Sequence, residues 1–127
     1  MPEKKTGKKS IIIVENEEQY SRVASLKLSI EGYDVRQVAD SAGLFAEMKK
    51  QCPDLVFMDL MLENESGFDA LEKMKKNPKF KKVKVIVYSS LAQEDDKAKA
   101  KKLGAAEYMV KSEVSLKELV QKVKEII

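Results

Sequence analysis

Five times along this chain a short apolar run gives way to a segment with helical period. The runs are Ile11-Ile12-Ile13-Val14, a stretch near Asp34 to Val38, Leu55 to Met58, Val83 to Tyr88, and Glu107 to Val110. The first is β-branched without alternation, as a strand buried on both faces requires. The first helix carries Tyr20, Val23, Ala24 and Leu28 on one stripe and ends at Gly32. The second runs from Ser41 to Gln51 with Leu44, Phe45 and Met48 facing inward, and Pro53 forbids its continuation. The third starts near Ser66 and fails by Asn77-Pro78. The fourth, Gln93 to Leu103, has a weak stripe made mainly of alanines, which predicts a loosely held helix. The fifth opens on a capping box, Ser115-Leu116-Lys117-Glu118, and carries Leu116, Leu119, Val120, Val123 and Ile126 or Ile127 on one face. Five βα units with short connections predict an α/β fold: one parallel sheet covered by helices on both faces.

The chain has 127 residues, the size of one domain. Residues 1–9 are Lys-rich and aperiodic and read as a disordered basic tail; residues 10–127 read as the domain. Histidine is absent, which excludes His-based acid–base chemistry and His metal ligation. The single cysteine, Cys52, cannot form an internal disulfide; it suits a reducing cytoplasm and a structural role. Net charge is +3, but only Arg22 and Arg36 are arginines, so direct nucleic-acid recognition is not expected. No apolar stretch approaches the ~20 residues of a membrane span, and the N-terminus lacks the apolar core of a signal peptide. A cytoplasmic location without membrane contact is the expectation.

In a parallel sheet all strand ends lie on one edge, where open α/β sheets bind ligands. Four strand-like runs end there in polar groups: Glu15-Asn16, Asp59, Ser89 and Lys111. Oxygen donors without His or Cys point to a hard divalent cation, Mg²⁺ by preference. A carboxylate flanked by a metal and an ammonium stays ionised. Once its charge is masked it can attack phosphorus and give an aspartyl phosphate. Lys111 would neutralise charge on the transferring group, and Ser89 would donate a hydrogen bond to it.

These residues carry a resemblance. Ile11 to Glu18, Pro53 to Met61, Val85 to Ser90, Leu103-Gly104-Ala105 and Tyr108 to Lys111 resemble the receiver domain of two-component response regulators, the CheY-like family. The likeness covers about Ser10 to Ile127. It implies a flavodoxin-like (βα)5 three-layer sandwich with strand order 2-1-3-4-5. It implies Asp59 as phosphoacceptor, with Ser89 and Lys111 completing the catalytic set. Asn16 would ligate the metal directly, Glu15 through water, and Asp59 and the Met61 carbonyl would complete the ligands. Ser89 and Tyr108 would be the switch pair. The implied partners are a histidine kinase or phosphotransfer protein and, downstream, an effector protein or an output domain. A homodimer through the fourth-helix face is also compatible.

Four positions stand out against the family pattern. Asn16 stands where an acid is usual. One charge pair at about 4 Å is worth roughly 4 kcal/mol at an effective dielectric of 20, before desolvation offsets most of it, so weaker Mg²⁺ binding is expected. Ser112 follows Lys111 where proline is usual; a cis bond there would cost about 2.5–4 kcal/mol. The expectation is a trans bond with a shifted Lys111, or a strained loop. Met61 and Leu91, two residues after Asp59 and Ser89, are bulky and apolar and should hinder water attack on a phosphoryl group. Asn16 and Ser112 also support an alternative, a pseudo-receiver that docks partners with weak or no phosphorylation. An enzyme acting on a separate substrate is not expected. The loop Glu15-Asn16-Glu17-Glu18 would repel phosphate in a flavodoxin. Glu15 and Glu17 do not fit the paired aspartates of a haloacid-dehalogenase-type phosphatase, and Asp59-Leu60-Met61 lacks the Asp-x-Asp of a Toprim site.

Overall fold

A computed structural model describes residues 7–127. Its elements run β1 (Ser10–Val14), α1 (Glu18–Ile30), β2 (Asp34–Val38), α2 (Ser41–Lys50), β3 (Leu55–Met58), β4 (Met61–Leu62), β5 (Glu65–Ser66), α3 (Gly67–Lys76), β6 (Lys84–Ser89), α4 (Glu94–Lys102), β7 (Glu107–Val110) and α5 (Leu116–Ile126). The main sheet has order β2-β1-β3-β6-β7, every neighbouring pair parallel. This is the flavodoxin-like (βα)5 sandwich expected from the sequence.

Alternation along the strands builds two cores. Ile12, Val14, Val56, Met58 and Val85 face α2 and α3, whose Leu44, Met48, Leu71 and Met74 close over them. Ile11, Ile13, Leu55, Phe57 and Ile86 face α1 and α5, packing on Leu28, Leu119 and Val123. Leu119 and Val123 confirm the stripe read for the last helix, and its capping box is formed: Glu118 N–H donates to Ser115 Oγ and Ser115 N–H to Glu118 Oε1. In α4 only Ala100 is buried, in keeping with the weak stripe.

The structure revises the stripe on α1. Val23 is 49% exposed, and Ser21 and Ser25 are buried beside Ala24 and Leu28. The helix offers two candidate faces, and the sheet takes the one with small residues. Ser21 Oγ donates to Gln37 Oε1 at 2.8 Å, which satisfies its buried hydroxyl. Cys52 is exposed, which does not favour the structural role expected for it. Between β3 and α3, β4 and β5 form a two-stranded antiparallel hairpin, with Asn64 near its turn at φ 64°. Strands this short leave no periodicity to read. Of the basic tail expected over 1–9, residues 1–6 lie outside the described residues; Lys9 already joins the fold through its carbonyl, which accepts Asp34 N–H. Among the described residues no helix is long and apolar enough to cross a membrane.

Candidate functional site

The carboxyl ends of β1, β3 and β7 bring three charged residues into contact. Lys111 Nζ lies 2.7 Å from Glu15 Oε1 and 3.3 Å from Asp59 Oδ2. It also lies 3.4 Å from Glu17 Oε1. Glu15, Asp59 and Lys111 are buried, whereas the Glu17 side chain is half exposed. Backbone pairing sets their positions: Glu15 N–H donates to Val38 O and Asp59 N–H to Val14 O. Among the described residues no peptide bond is cis, so Lys111–Ser112 is trans, and Lys111 still reaches Asp59.

Asp59 is fixed from three directions. Met61 N–H donates to its Oδ1 at 3.2 Å. Lys111 holds Oδ2. Gly67 presses the start of α3 against its main chain, with Gly67 N–H donating to Leu60 O at 2.9 Å. A Cβ at Gly67 would stand 2.1 Å from Asp59 O and 2.7 Å from Leu60 Cα. Only glycine permits that approach.

Burial dominates the titration of Glu15. Desolvation pushes its carboxyl up to about 7; the Lys111 hydrogen bond works the other way, and the neighbouring Asp59 raises it further. For Lys111, burial works against the charge, but Glu15 and Asp59 outweigh it and hold the ammonium above the usual lysine value.

Asn16, Glu17, Asp59, Met61, Ser90 and Lys111 line a cleft of about 280 Å³. Asn16 and Met61 are exposed at its mouth. Ser89 does not line it; this residue is fully buried, and its Oγ accepts Leu91 N–H at 3.2 Å. Tyr108 OH donates to Leu91 O at 2.8 Å. Ser89 and Tyr108 are thus joined through the two backbone groups of one residue. Burial, with Asp96 and Asp59 nearby, pushes the Tyr108 phenol up to about 12, so it stays a donor.

The donor set suits a hard cation. Carboxylate oxygens of Glu15, Glu17 and Asp59 lie within 4.8 Å of one another. The Glu15 carboxylate is buried, with the Lys111 ammonium at ion-pair distance from its Oε1. Three carboxylates against one ammonium leave negative charge in excess, and all the donors are oxygen. Glu17 was not among the expected ligands. Glu17 N–H donates back to Glu15 Oε2 at 3.1 Å, a tight turn that carries the second carboxylate toward the first.

Comparison with known proteins agrees with this geometry. The profile described as response regulator receiver domain matches residues 11–124. A probable transcriptional regulator ycf27 of Porphyridium aerugineum is 30% identical over 120 residues, 94% of this chain and 48% of that protein. The chain spans about half the length of the curated relatives it matches. The Mn²⁺-bound response regulator Rcp1 superposes with a TM-score of 0.78 at 28% identity, covering 93% of this chain and 91% of that one. The phosphorylated cyanobacterial phytochrome response regulator RcpA does so with a TM-score of 0.79 at 29% identity, covering 94% and 91%.

Proposed function

This chain belongs to the response regulator receiver domain family, and from that premise we propose that it is a signalling domain switched by phosphorylation of Asp59. The observation that carries the reading is the contact of Asp59 with Lys111 at the rim of the cleft. An Asp59 carboxylate oxygen attacks the phosphorus of a phosphohistidine on a histidine kinase or phosphotransfer protein. An O–P bond forms, the P–N bond breaks, and the imidazole nitrogen leaves with the electron pair and takes up a proton. Lys111 offsets charge on the phosphoryl oxygens. A divalent cation, Mg²⁺ by its oxygen donors, would be held by Glu15, Asn16, Glu17, Asp59 and the Met61 carbonyl, and would supply charge that masks the nucleophile and the incoming group. The RcpA structure is phosphorylated and the Rcp1 structure holds Mn²⁺, which supports the reading by likeness.

The signal leaves through Leu91. Ser89 is fully buried and does not line the cleft, so donating to a phosphoryl oxygen there would turn it toward the cleft and loosen the bond its Oγ accepts from the Leu91 amide. That frees the segment whose carbonyl holds Tyr108. A charge event at Asp59 thereby biases the face formed by α4, β7 and α5 between two states. The recipient is a downstream effector or an output domain, and pairing of two copies through this face is compatible. The receiver acts as a signalling domain and turns over no separate substrate.

Asn16 and Ser112 favour a second reading, a docking module that takes little phosphate. Incubation with a small phosphodonor and Mg²⁺ separates the two. Mass spectrometry should show one phosphoryl group added to wild type and none to Asp59→Ala. An unmodified wild type would leave the docking reading.

A further inference from the structure

The segment behind Lys111, Ser112-Glu113, is exposed and holds no proline. Three carboxylates contact the ammonium, and two aromatic rings lie beside it. Lys111 Nζ sits 4.4 Å from the centroid of the Tyr20 ring and 5.7 Å from that of Tyr88. Both distances lie within the ~6 Å reach of a cation–π contact. Tyr20 and Tyr88 meet edge to face, centroids 6.5 Å apart at 82°. Tyr88 is itself braced edge-on by Phe57 at 6.1 Å and 75°. Tyr88 is 8% exposed within β6, and Tyr20 is half-buried in the first turn of α1.

We infer that Tyr20, backed by Tyr88, is a positioning residue whose ring face seats the Lys111 ammonium beside Asp59. The ring quadrupole attracts the cation without accepting its protons, so the N–H groups stay free for carboxylate or phosphoryl oxygens. The seat also outlasts the reaction. When Asp59 becomes an acyl phosphate and its charge moves to the phosphoryl group, the contact with the Asp59 carboxylate is lost, and the ring contact remains beside that with Glu15. In this chain the seat takes over the constraint that the residue after Lys111 does not impose. The consequence for phosphorylation rests on the function proposed above; the seat itself does not.

The test compares Tyr20→Phe, which keeps the ring, with Tyr20→Leu, which removes it. In protein labelled with ¹³C-lysine, the Lys111 ε-methylene resonance, assigned with Lys111→Arg, should be shifted upfield by the ring current. The shift should persist in Tyr20→Phe and diminish in Tyr20→Leu. Phosphorylation by acetyl phosphate should fall about tenfold in Tyr20→Leu and stay within about twofold in Tyr20→Phe. Thermal unfolding run alongside confirms that both variants are folded. An unmoved resonance in Tyr20→Leu overturns the inference. So does phosphorylation of that variant at the wild-type rate, or a Tyr20→Phe variant that behaves like Tyr20→Leu. If wild type itself takes no phosphate, the signalling reading falls, and the resonance alone decides on the seat.

Discussion

Glu15 shows how a single side chain makes the fold sensitive to pH. Its carboxyl, ordinarily near 4.5, is pushed up to about 7 by burial, so the folded state holds the proton more tightly than the unfolded state. The stabilisation this provides is fully present below 4.5 and is lost as pH rises through about 7. Lys111 is also raised, but its contribution is lost only at more alkaline pH. In EDTA, wild type should therefore lose on the order of 2 kcal/mol relative to Glu15→Gln between about pH 4.5 and pH 8. Urea unfolding at both pH values measures this, and parallel stability curves would refute it. A second prediction concerns Glu17 and Asn16. Mg²⁺ titration followed by calorimetry should show about tenfold weaker binding in Glu17→Gln and about tenfold tighter binding in Asn16→Asp, since each removes or adds one unit charge at the cleft. Equal affinities in all three proteins would refute it. Asp59, Glu15 and Lys111 were legible in the sequence because each ends a strand-like run. Glu17 was not, because its approach to Asp59 depends on the turn that folds its amide onto Glu15.

At the scale of elements, one junction holds the site in place and another braces the opposite edge of the sheet. The start of α3 lies so close to Asp59 and Leu60 that a methyl group at Gly67 collides with main chain. Gly67→Ala should destabilise the fold by about 2–4 kcal/mol and slow phosphorylation. A denaturation midpoint within error of wild type would count against this. The second junction is at the sheet edge. Arg36 on β2 donates to Glu47 O and Gln51 O at the end of α2, to the Glu47 carboxylate and to Ser10 Oγ. One planar fork serves the last carbonyls of a helix and ties them to β1. Lysine has a charge but no fork, so Arg36→Lys should cost about 1–2 kcal/mol in thermal or chemical unfolding, and full stability would argue that only the charge matters. The helix stripes were readable wherever apolar residues stood on one face, as in α5. In α1 two faces competed: Val23, Leu26 and Ile30 stayed exposed while Ser21 and Ser25 were buried. Fit against the sheet, not hydrophobicity, chose between them.

Across the whole molecule, the strands of the main sheet all run one way and the crossover helices run back the other way. The last turns of α2, α3 and α4 carry Lys49 and Lys50, Lys73, Lys75 and Lys76, and Lys99, Lys101 and Lys102. These cations suit the negative ends of the helix dipoles and gather at the edge opposite the site. The acidic cleft therefore faces away from much of the lysine that makes the net charge positive. Its mouth carries the exposed, bulky Met61, with Leu91 in the loop after Ser89. The phosphorylated form should be long-lived, and Met61→Asn combined with Leu91→Glu should shorten its lifetime about tenfold by admitting water. Decay of the phosphoprotein, followed by mass, checks this, and an unchanged lifetime would sink it. The sequence alone determined the five alternating units and the edge on which Glu15, Asp59 and Lys111 fall, because periodicity and strand ends are local properties of the chain. Only the tertiary structure decided that Glu17 joins the carboxylates, that Tyr20 lies under Lys111 and that Leu91 links Ser89 to Tyr108. Each of those contacts joins groups whose distance and direction depend on how turns and layers pack, and no local pattern encodes that.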